Sequence, residues 1–170
     1  MALCNLAFFA KEIGKQCQMN VIVPEEGTGP FPVWYLLHGL SDDYSIWLRR
    51  TSIERYVSNL PLIVAMPDGF RGFYCDAVNG PAYERYMLND VIGTVERLFP
   101  AAAKREGRVI GGLSMGGYGS MKLALKFPGL FCSVASHSSA FDIAKRDWGE
   151  RAAEFDLIFG KDATGGKDDL

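Results

Sequence analysis

The sequence is poor in the residues that build metal sites and disulfide frameworks. It has two histidines, and its four cysteines form no Cys-x-x-Cys pair and lie near no histidine cluster. That spacing fits neither a zinc site nor the dense disulfide framework of a small secreted domain. We therefore expect the four cysteines to be reduced thiols in a cytoplasmic protein; they are Cys4, Cys17, Cys75 and Cys132.

The sequence also lacks an excess of charge of either sign and a long apolar run. Its formal net charge is -2 and its basic residues are scattered, which leaves no electrostatic footprint for nucleic acid or an anionic membrane. No apolar run approaches the roughly eighteen residues of a membrane-spanning helix. The N-terminus has no basic residue before a short apolar stretch that Asn5 interrupts, so it fits a strand better than a signal peptide. We expect no nucleic-acid partner, no membrane association and a cytoplasmic location.

What the sequence does contain is an alternation of short apolar runs with helical stretches. Its 170 residues are enough for a single domain, 1–170, and too few for two ordinary ones. Continuous apolar runs that end at turn residues predict strands buried on both faces. Together these patterns predict an α/β fold with a mostly parallel sheet flanked by helices. The predicted strands are 3–10, 18–23, 33–37, 60–66, 108–113 and 132–136, and the predicted helices are 45–58, 83–99 and 115–127.

One segment carries a motif for nucleophilic catalysis. Gly112-Leu-Ser114-Met-Gly116 matches Gly-x-Ser-x-Gly, directly follows an apolar run and precedes a helical stretch. This is the context of a nucleophile elbow, a strained strand-to-helix turn that exposes the serine hydroxyl. The helix N-terminus would direct backbone amides and its positive dipole toward a developing oxyanion. Ser114 is therefore the candidate nucleophile, and a glycine-rich turn with an incidental serine is the alternative.

A second segment predicts the other half of an oxyanion hole. His38 and Gly39 end a buried strand, at the position where a second oxyanion amide is expected. The backbone amides of Leu40 and Met115 would then face each other across the site. We expect His38 to brace its loop through local hydrogen bonds and not to act as a base.

Three residues beside these motifs are candidates for substrate binding. Gly39 lies on the oxyanion loop itself, and Trp47 follows that loop closely enough to form the wall of an acyl pocket. Packing of an amphipathic helix explains Trp47 equally well. Tyr74 follows a further buried strand, on a loop that should face the same rim; an ordinary loop aromatic is the alternative.

Three blocks of sequence together resemble a known family. They are 35–56, which contains Leu-Leu-His-Gly-Leu, then 66–69, and 111–119, which contains Ser-Met-Gly-Gly-Tyr-Gly. In this order and spacing they resemble the putative esterase family of α/β hydrolases, which includes the tributyrin esterases and is similar to esterase D, the S-formylglutathione hydrolases. The likeness runs from about the N-terminus to at least Ala140. It implies hydrolysis of short acyl esters, with Ser114 as nucleophile and the oxyanion held by the two amides named above.

The rest of the catalytic triad departs from the family pattern. Such sites need an acid and then a histidine after the serine, but only His137 follows Ser114, with no Asp or Glu between them. The explanation we favour at this stage is a chain cut after Leu170, whose missing portion supplies the last strands, the acid and the histidine. A degenerate fold that binds without catalysing is a second explanation. The third is His137 as an unconventional base held by Asp142 or Asp147.

The sequence therefore predicts a serine carboxylesterase or thioesterase that forms an acyl-enzyme on Ser114. Its partner would be a small-molecule acyl ester or thioester, and no metal or organic cofactor is implied. A non-catalytic α/β-hydrolase-like binding module and an acyltransferase are the alternatives. The actual substrate and the oligomeric state, a homo-oligomer included, stay open.

Overall fold

The computed structural model describes residues 1–143 and 147–170, and in this part of the chain six strands form one sheet. Their order across the sheet is β1-β2-β4-β3-β5-β6. Each of the six predicted strands is present, with bounds shifted by a few residues at most. The strands are β1 (Ala2–Ala10), β2 (Lys15–Val23), β3 (Val33–Leu37), β4 (Ile63–Pro67), β5 (Arg108–Leu113) and β6 (Ser133–His137).

The helices agree less closely with the predictions. The single helix predicted over 45–58 is two short helices, because Thr51 adopts an extended backbone between them. The helix predicted over 83–99 is one continuous helical segment with a π-helical insert, and it ends before Pro100. In the described ranges, no helix is long and apolar enough to cross a bilayer. The helices are α1 (Ile46–Arg50), α2 (Ile53–Val57), α3 (Tyr83–Arg85), the π-helical insert Tyr86–Val91, α4 (Ile92–Leu98), α5 (Met115–Lys126) and α6 (Ala152–Phe159).

The sheet is mixed, with its parallel part at one end. β1 and β2 form an antiparallel hairpin, and β2 pairs antiparallel with β4. The strands β4, β3, β5 and β6 are all parallel, with Val33 opposite both Ile63 and Arg108, and Leu113 opposite His137. Because parallel strands share their direction, the carboxyl ends of β3, β4 and β5 meet at one edge of the sheet.

Alternate residues of the central strands enter two separate apolar layers. Tyr35 and Leu37 of β3 belong to the layer packed under the 83–98 helical segment, α5 and α6, whereas Leu36 faces α1 and α2 on the other side. All three are almost fully buried, and burying a side chain of this size contributes about 1.5–3 kcal/mol. Because helices cover both faces of these strands, side chains on both faces are buried and the strands are continuous apolar runs in the sequence.

One charged cluster lies within the larger layer. The ammonium group of Lys122, on α5, is nearly inaccessible and lies 2.9 Å from Glu84 Oε2 and 3.1 Å from Asp168 Oδ1. Lys126 Nζ lies 2.6 Å from the other Glu84 oxygen. Burial alone would raise the pKa of Glu84, but the two lysines outweigh burial and hold it below the ordinary value of 4.5. The paired charges join α3, α5 and the C-terminal segment around one buried cation.

This cluster predicts a specific pH dependence of stability. The folded-state pKa of Glu84 lies below the unfolded value, so its contribution is complete above about pH 4.5 and is lost as pH falls through the folded pKa. The unfolding free energy of the parent should exceed that of Glu84→Gln at neutral pH, and the difference should shrink in acid. Urea unfolding from about pH 3 to pH 7 measures it. Glu26→Gln, at an exposed carboxylate, is the control, and a difference for Glu84→Gln that does not change with pH would contradict the assignment.

Candidate active site

A cleft of about 360 Å³ opens at the carboxyl edge of the parallel strands. The turn after β3 and the turn after β5 form its floor, and the segment before α6 forms its far wall. This is the edge of an open α/β sheet at which ligands usually bind. The lining residues are Gly39, Leu40, Ser41, Asp42, Phe73, Leu113, Ser114, Ala140, Trp148 and Arg151.

Ser114 occupies the turn between β5 and α5 with the strained backbone that the motif predicts. Its φ is 56° and its ψ is -114°, a conformation that residues other than glycine rarely adopt. The turn is fixed by a 2.8 Å hydrogen bond that the Ser114 amide donates to the carbonyl of His137 on β6. The side chain is partly exposed in the cleft, and its hydroxyl forms no hydrogen bond with any described residue. The hydroxyl is therefore presented to solvent and not packed into the core.

The two flanking glycines allow this turn to lie against the neighbouring strand. A β-carbon on Gly112 would lie 2.6 Å from the carbonyl carbon of Gly116 and 2.7 Å from the Leu37 oxygen. A β-carbon on Gly116 would lie 2.6 Å from the oxygen of His38 and would also overlap Leu37. Real β-carbons do not approach backbone so closely, so both positions require glycine.

The loop of residues 38–40, which we call the oxyanion loop because the sequence predicts an oxyanion amide in it, lies directly beside the serine. A β-carbon on Gly39 would be 3.7 Å from the Ser114 β-carbon. Among the described residues, neither the Leu40 amide nor the Met115 amide donates a hydrogen bond to a protein acceptor. Met115 is the first residue of α5, so its amide also carries the positive end of the helix dipole.

His38 holds this loop in place with both ring nitrogens. It is 1% exposed, and its Nε2 accepts a 2.8 Å hydrogen bond from the Gly69 amide. Its Nδ1 lies 2.7 Å from the Gly39 carbonyl, so Nδ1 is assigned the proton and donates. Both ring nitrogens thereby have hydrogen-bond partners other than Ser114, which agrees with a bracing role.

The comparisons with known proteins agree with this geometry. The family model described as "Putative esterase" matches residues 10–164. The chain belongs to this esterase family. Its α/β-hydrolase fold, a mostly parallel sheet flanked by helices with the serine at the strand-to-helix turn, is thereby established.

Solved structures and curated proteins align with most of this chain. The chain is similar to a substrate-bound fluorophosphonate-binding serine hydrolase of Staphylococcus aureus, with 31% identity, a TM-score of 0.89 and coverage of 99% of this chain and 70% of that one. It is similar to the S-formylglutathione hydrolase of the same organism at 31% identity and a TM-score of 0.86, with the same two coverages. An acetyl esterase of Caldicellulosiruptor saccharolyticus is 31% identical over 85% of this chain. The chain spans 59% of that relative's length.

Two of the predicted substrate-binding residues of this esterase-family chain do not line the cleft. Trp47 packs, partly buried, on the other side of the sheet against the layer that includes Leu36. Tyr74 is fully buried, and its backbone occupies the left-handed region at φ 55°. Of the three predicted contacts, only Gly39 lies in the cleft.

Other residues line the cleft that no sequence motif had predicted to lie there. Phe73 precedes Tyr74 and occupies the place in the cleft that we predicted for its neighbour. Trp148 stacks on Phe155 with ring centroids 3.4 Å apart and meets Phe73 edge-on at 6.0 Å. Arg151 follows on the same short turn before α6. For Trp148 and Arg151 the only indication in the sequence is the apolar spacing within the following helix α6. That spacing predicts a helix but not where the helix packs.

Neither histidine of the chain reaches Ser114 in the described structure. His38 is occupied as described, and His137 is an exposed residue at the end of β6 whose imidazole forms no hydrogen bond with Ser114, Asp142 or Asp147. One carboxylate oxygen of Asp147 instead accepts a 2.9 Å hydrogen bond from the Gly149 amide. Among the described strands, β6 lies at one edge of the sheet and β1 at the other. The described residues thus present the Ser114 hydroxyl and two amides without an acceptor, and neither histidine ring forms a hydrogen bond with Ser114.

Proposed function

We propose that this chain carries the nucleophile and oxyanion hole of a serine carboxylesterase or thioesterase that hydrolyses short acyl esters through an acyl-enzyme on Ser114. One observation carries the proposal. An unpaired hydroxyl, held at a strained turn, shares a cleft with Leu40 and directly precedes Met115, and the backbone amides of these two residues have no acceptor in the described structure. A strained backbone and unsatisfied donors each cost free energy. Nucleophilic attack on an acyl carbon gives both a function, because the strained turn exposes the hydroxyl and the donors can bind the oxyanion.

The reaction follows from this arrangement. Ser114 Oγ attacks the acyl carbon as its proton passes to a histidine base, and the carbonyl oxygen becomes an oxyanion between the Leu40 and Met115 amides. The tetrahedral intermediate then collapses, the histidine protonates the leaving alcohol or thiol, and the acyl group stays on Ser114. Water attacks that ester in the same way and releases the acid. Each oxyanion donor is worth about 3–4 kcal/mol in such a step.

The size of the cleft favours small acyl groups. Its volume of about 360 Å³ lies near the lower limit of ordinary ligand pockets. Phe73, Leu113 and Trp148 contribute apolar walls next to Ser114. We propose that acetyl- to butyryl-sized groups fit between these walls.

The base is proposed to come from outside residues 1–170. Neither histidine ring of this chain forms a hydrogen bond with Ser114 in the described structure, and a serine without a base is a weak nucleophile. In the described part of the chain β6 is an edge strand next to β5, the strand that precedes Ser114. Residues that supply an acid and a histidine would join the sheet at this edge. The intact mass of the natural protein tests this directly, and a value well above 18.7 kDa is expected.

Chemical rescue by imidazole tests the proposed function on residues 1–170 alone. Added imidazole should accelerate release of p-nitrophenol from p-nitrophenyl acetate beyond the rate that imidazole itself gives with Ser114→Ala. Acetyl and butyryl esters should respond more strongly than the decanoyl ester. Equal rates for parent and Ser114→Ala at every imidazole concentration would contradict an activatable serine.

A separate prediction concerns His137. Because its imidazole forms no hydrogen bond with Ser114, His137→Gln should change the imidazole-dependent rate by less than about twofold. The same assay measures it, with His38→Gln as the contrasting variant, since His38 holds the oxyanion loop. Loss of the Ser114-dependent rate in His137→Gln would instead make His137 the base.

The missing base also supports a second candidate, a non-catalytic binding module of the same fold. Such a protein would bind acyl esters in the cleft without consuming them. A protein expressed from the full natural reading frame that neither hydrolyses esters nor reacts with fluorophosphonates would favour this candidate. Product analysis with added alcohols separates hydrolysis from acyl transfer, because transfer yields a new ester and hydrolysis a free acid.

A further inference from the structure

The ring of Tyr74 lies in a slot that two glycines leave open. Tyr74 is 0% exposed. A β-carbon on Gly69 would lie 2.5 Å from Cζ of this ring, and a β-carbon on Gly119 would lie 2.5 Å from its Cδ2. Gly69 belongs to the turn after β4 and Gly119 to α5, so the ring is held between the sheet edge and the helix that begins at the nucleophile.

The hydroxyl of this ring points to the oxyanion loop. It donates a 3.2 Å hydrogen bond to the carbonyl oxygen of His38, and the two rings meet edge-on with centroids 6.1 Å apart. The His38 carbonyl and the Gly39 amide belong to the same planar peptide unit. Fixing that carbonyl therefore fixes the orientation of the peptide immediately before the Leu40 amide.

The other end of Tyr74 is anchored by the buried lysine. Lys122 Nζ donates a 2.8 Å hydrogen bond to the Tyr74 carbonyl oxygen. Phe73 and Tyr74 both have positive φ values, 50° and 55°, which non-glycine residues adopt only where the surroundings impose it. The charged hydrogen bond to a buried carbonyl is one such constraint. It holds Tyr74 below the loop and Phe73 in the cleft.

We propose that Tyr74 is a positioning residue of the oxyanion hole. Held at its carbonyl by Lys122 and at its ring by Gly69 and Gly119, it fixes the His38 carbonyl and through it the direction of the Leu40 amide. The proposal rests on the function proposed above, because it assigns a role in that reaction. It replaces the predicted substrate contact at Tyr74 with a role that acts through the backbone.

Two tyrosine variants separate positioning from stability. Tyr74→Phe removes the hydroxyl that reaches His38, and Tyr118→Phe removes another buried hydroxyl, which donates to the Asp168 carbonyl on the far side of Lys122. Each loses one hydrogen bond to a backbone carbonyl, and Tyr118→Phe also loses the weak 3.8 Å contact with Cys75 Sγ, so the decrease in Tm should be at least as large in Tyr118→Phe as in Tyr74→Phe. With protein expressed from the full natural reading frame, Tyr74→Phe should lower kcat about tenfold with little change in KM, since a misdirected oxyanion donor weakens the transition state. Tyr118→Phe should keep kcat within about twofold of the parent.

The amide NMR signals of Gly39 and Leu40 provide a readout that does not need catalysis. They should shift in Tyr74→Phe and stay in place in Tyr118→Phe. If the amide signals shift but the protein shows no Ser114-dependent turnover, the proposed function is wrong and the catalytic role of Tyr74 is wrong with it. The hydrogen bond from Tyr74 to His38 would still be confirmed. Unshifted amides with parental kcat in Tyr74→Phe overturn the positioning role alone. A loss of kcat that is equal in both variants also overturns it.

Discussion

Ser114→Ala is expected to abolish covalent labelling by a fluorophosphonate probe. The probe phosphonylates only a serine whose hydroxyl is accessible and activated, and the structure places the Ser114 hydroxyl in the cleft without a hydrogen-bond partner among the described residues. Removing the nucleophile of such a site costs about 10⁶ in kcat where the complete triad is present. Ester hydrolysis should therefore fall to the uncatalysed rate together with labelling. Gel fluorescence and p-nitrophenyl acetate hydrolysis measure the two effects on protein from the full natural reading frame.

Ser133→Ala is the matched control for this experiment. Ser133 is an exposed serine on β6, the strand next to β5, which ends just before Ser114. Its loss should leave labelling at the parental level. Labelling that persists in Ser114→Ala, or that disappears in Ser133→Ala, would assign the reactive serine elsewhere. In that case the elbow would be a structural turn.

Gly116→Ala is expected to have the largest effect on stability. Its new methyl group would lie 2.6 Å from the His38 carbonyl oxygen and closer still to Leu37. Both neighbours are backbone at the end of β3, which cannot rotate away as a side chain does. We expect a loss of about 3 kcal/mol or more in unfolding free energy, at the upper end of overpacking costs, and a labelling rate at least about tenfold lower because the oxyanion loop must move.

Gly93→Ala makes the same chemical change where there is room for it. Gly93 lies within α4, and a β-carbon there has no neighbour within 4 Å. Alanine is favoured over glycine inside a helix by about 1 kcal/mol, so this variant should be as stable as the parent or more stable. Chemical unfolding of both variants measures the contrast. A Gly116→Ala protein with parental stability would show that α5 does not pack against β3 as described.

Much of the fold was predictable because this sheet is buried between helices. Residues 33–37 and 109–113 are apolar or glycine at every position, and the bounds predicted from these two runs agree with β3 and β5. The break at Thr51 and the π-helical insert at Tyr86–Val91 have no comparable pattern in the sequence, because they depend on packing and not on residue type. The pattern of residues 115–127 predicted α5 to within one residue, since Pro128 and Gly129 stop the helix.

The site was predictable only where backbone geometry dictates residue type. Gly112 and Gly116, on either side of Ser114, are required by close backbone contacts, so the turn could be found in the sequence. The buried position of Tyr74 could not be predicted, because the slot that holds its ring is formed by Gly69 and by Gly119, and Gly119 is remote from it in sequence. Trp148 and Arg151 reach the cleft through the packing of the segment before α6, for which the sequence carries no motif.

The structure of the phosphonylated protein tests the central claim most directly. After reaction with a small fluorophosphonate, phosphorus should be bonded to Ser114 Oγ. The phosphoryl oxygen should lie 2.7–3.1 Å from both the Leu40 and the Met115 amide nitrogens, the range expected of an oxyanion hole. An adduct on another residue, or a phosphoryl oxygen directed away from these two amides, would contradict the account.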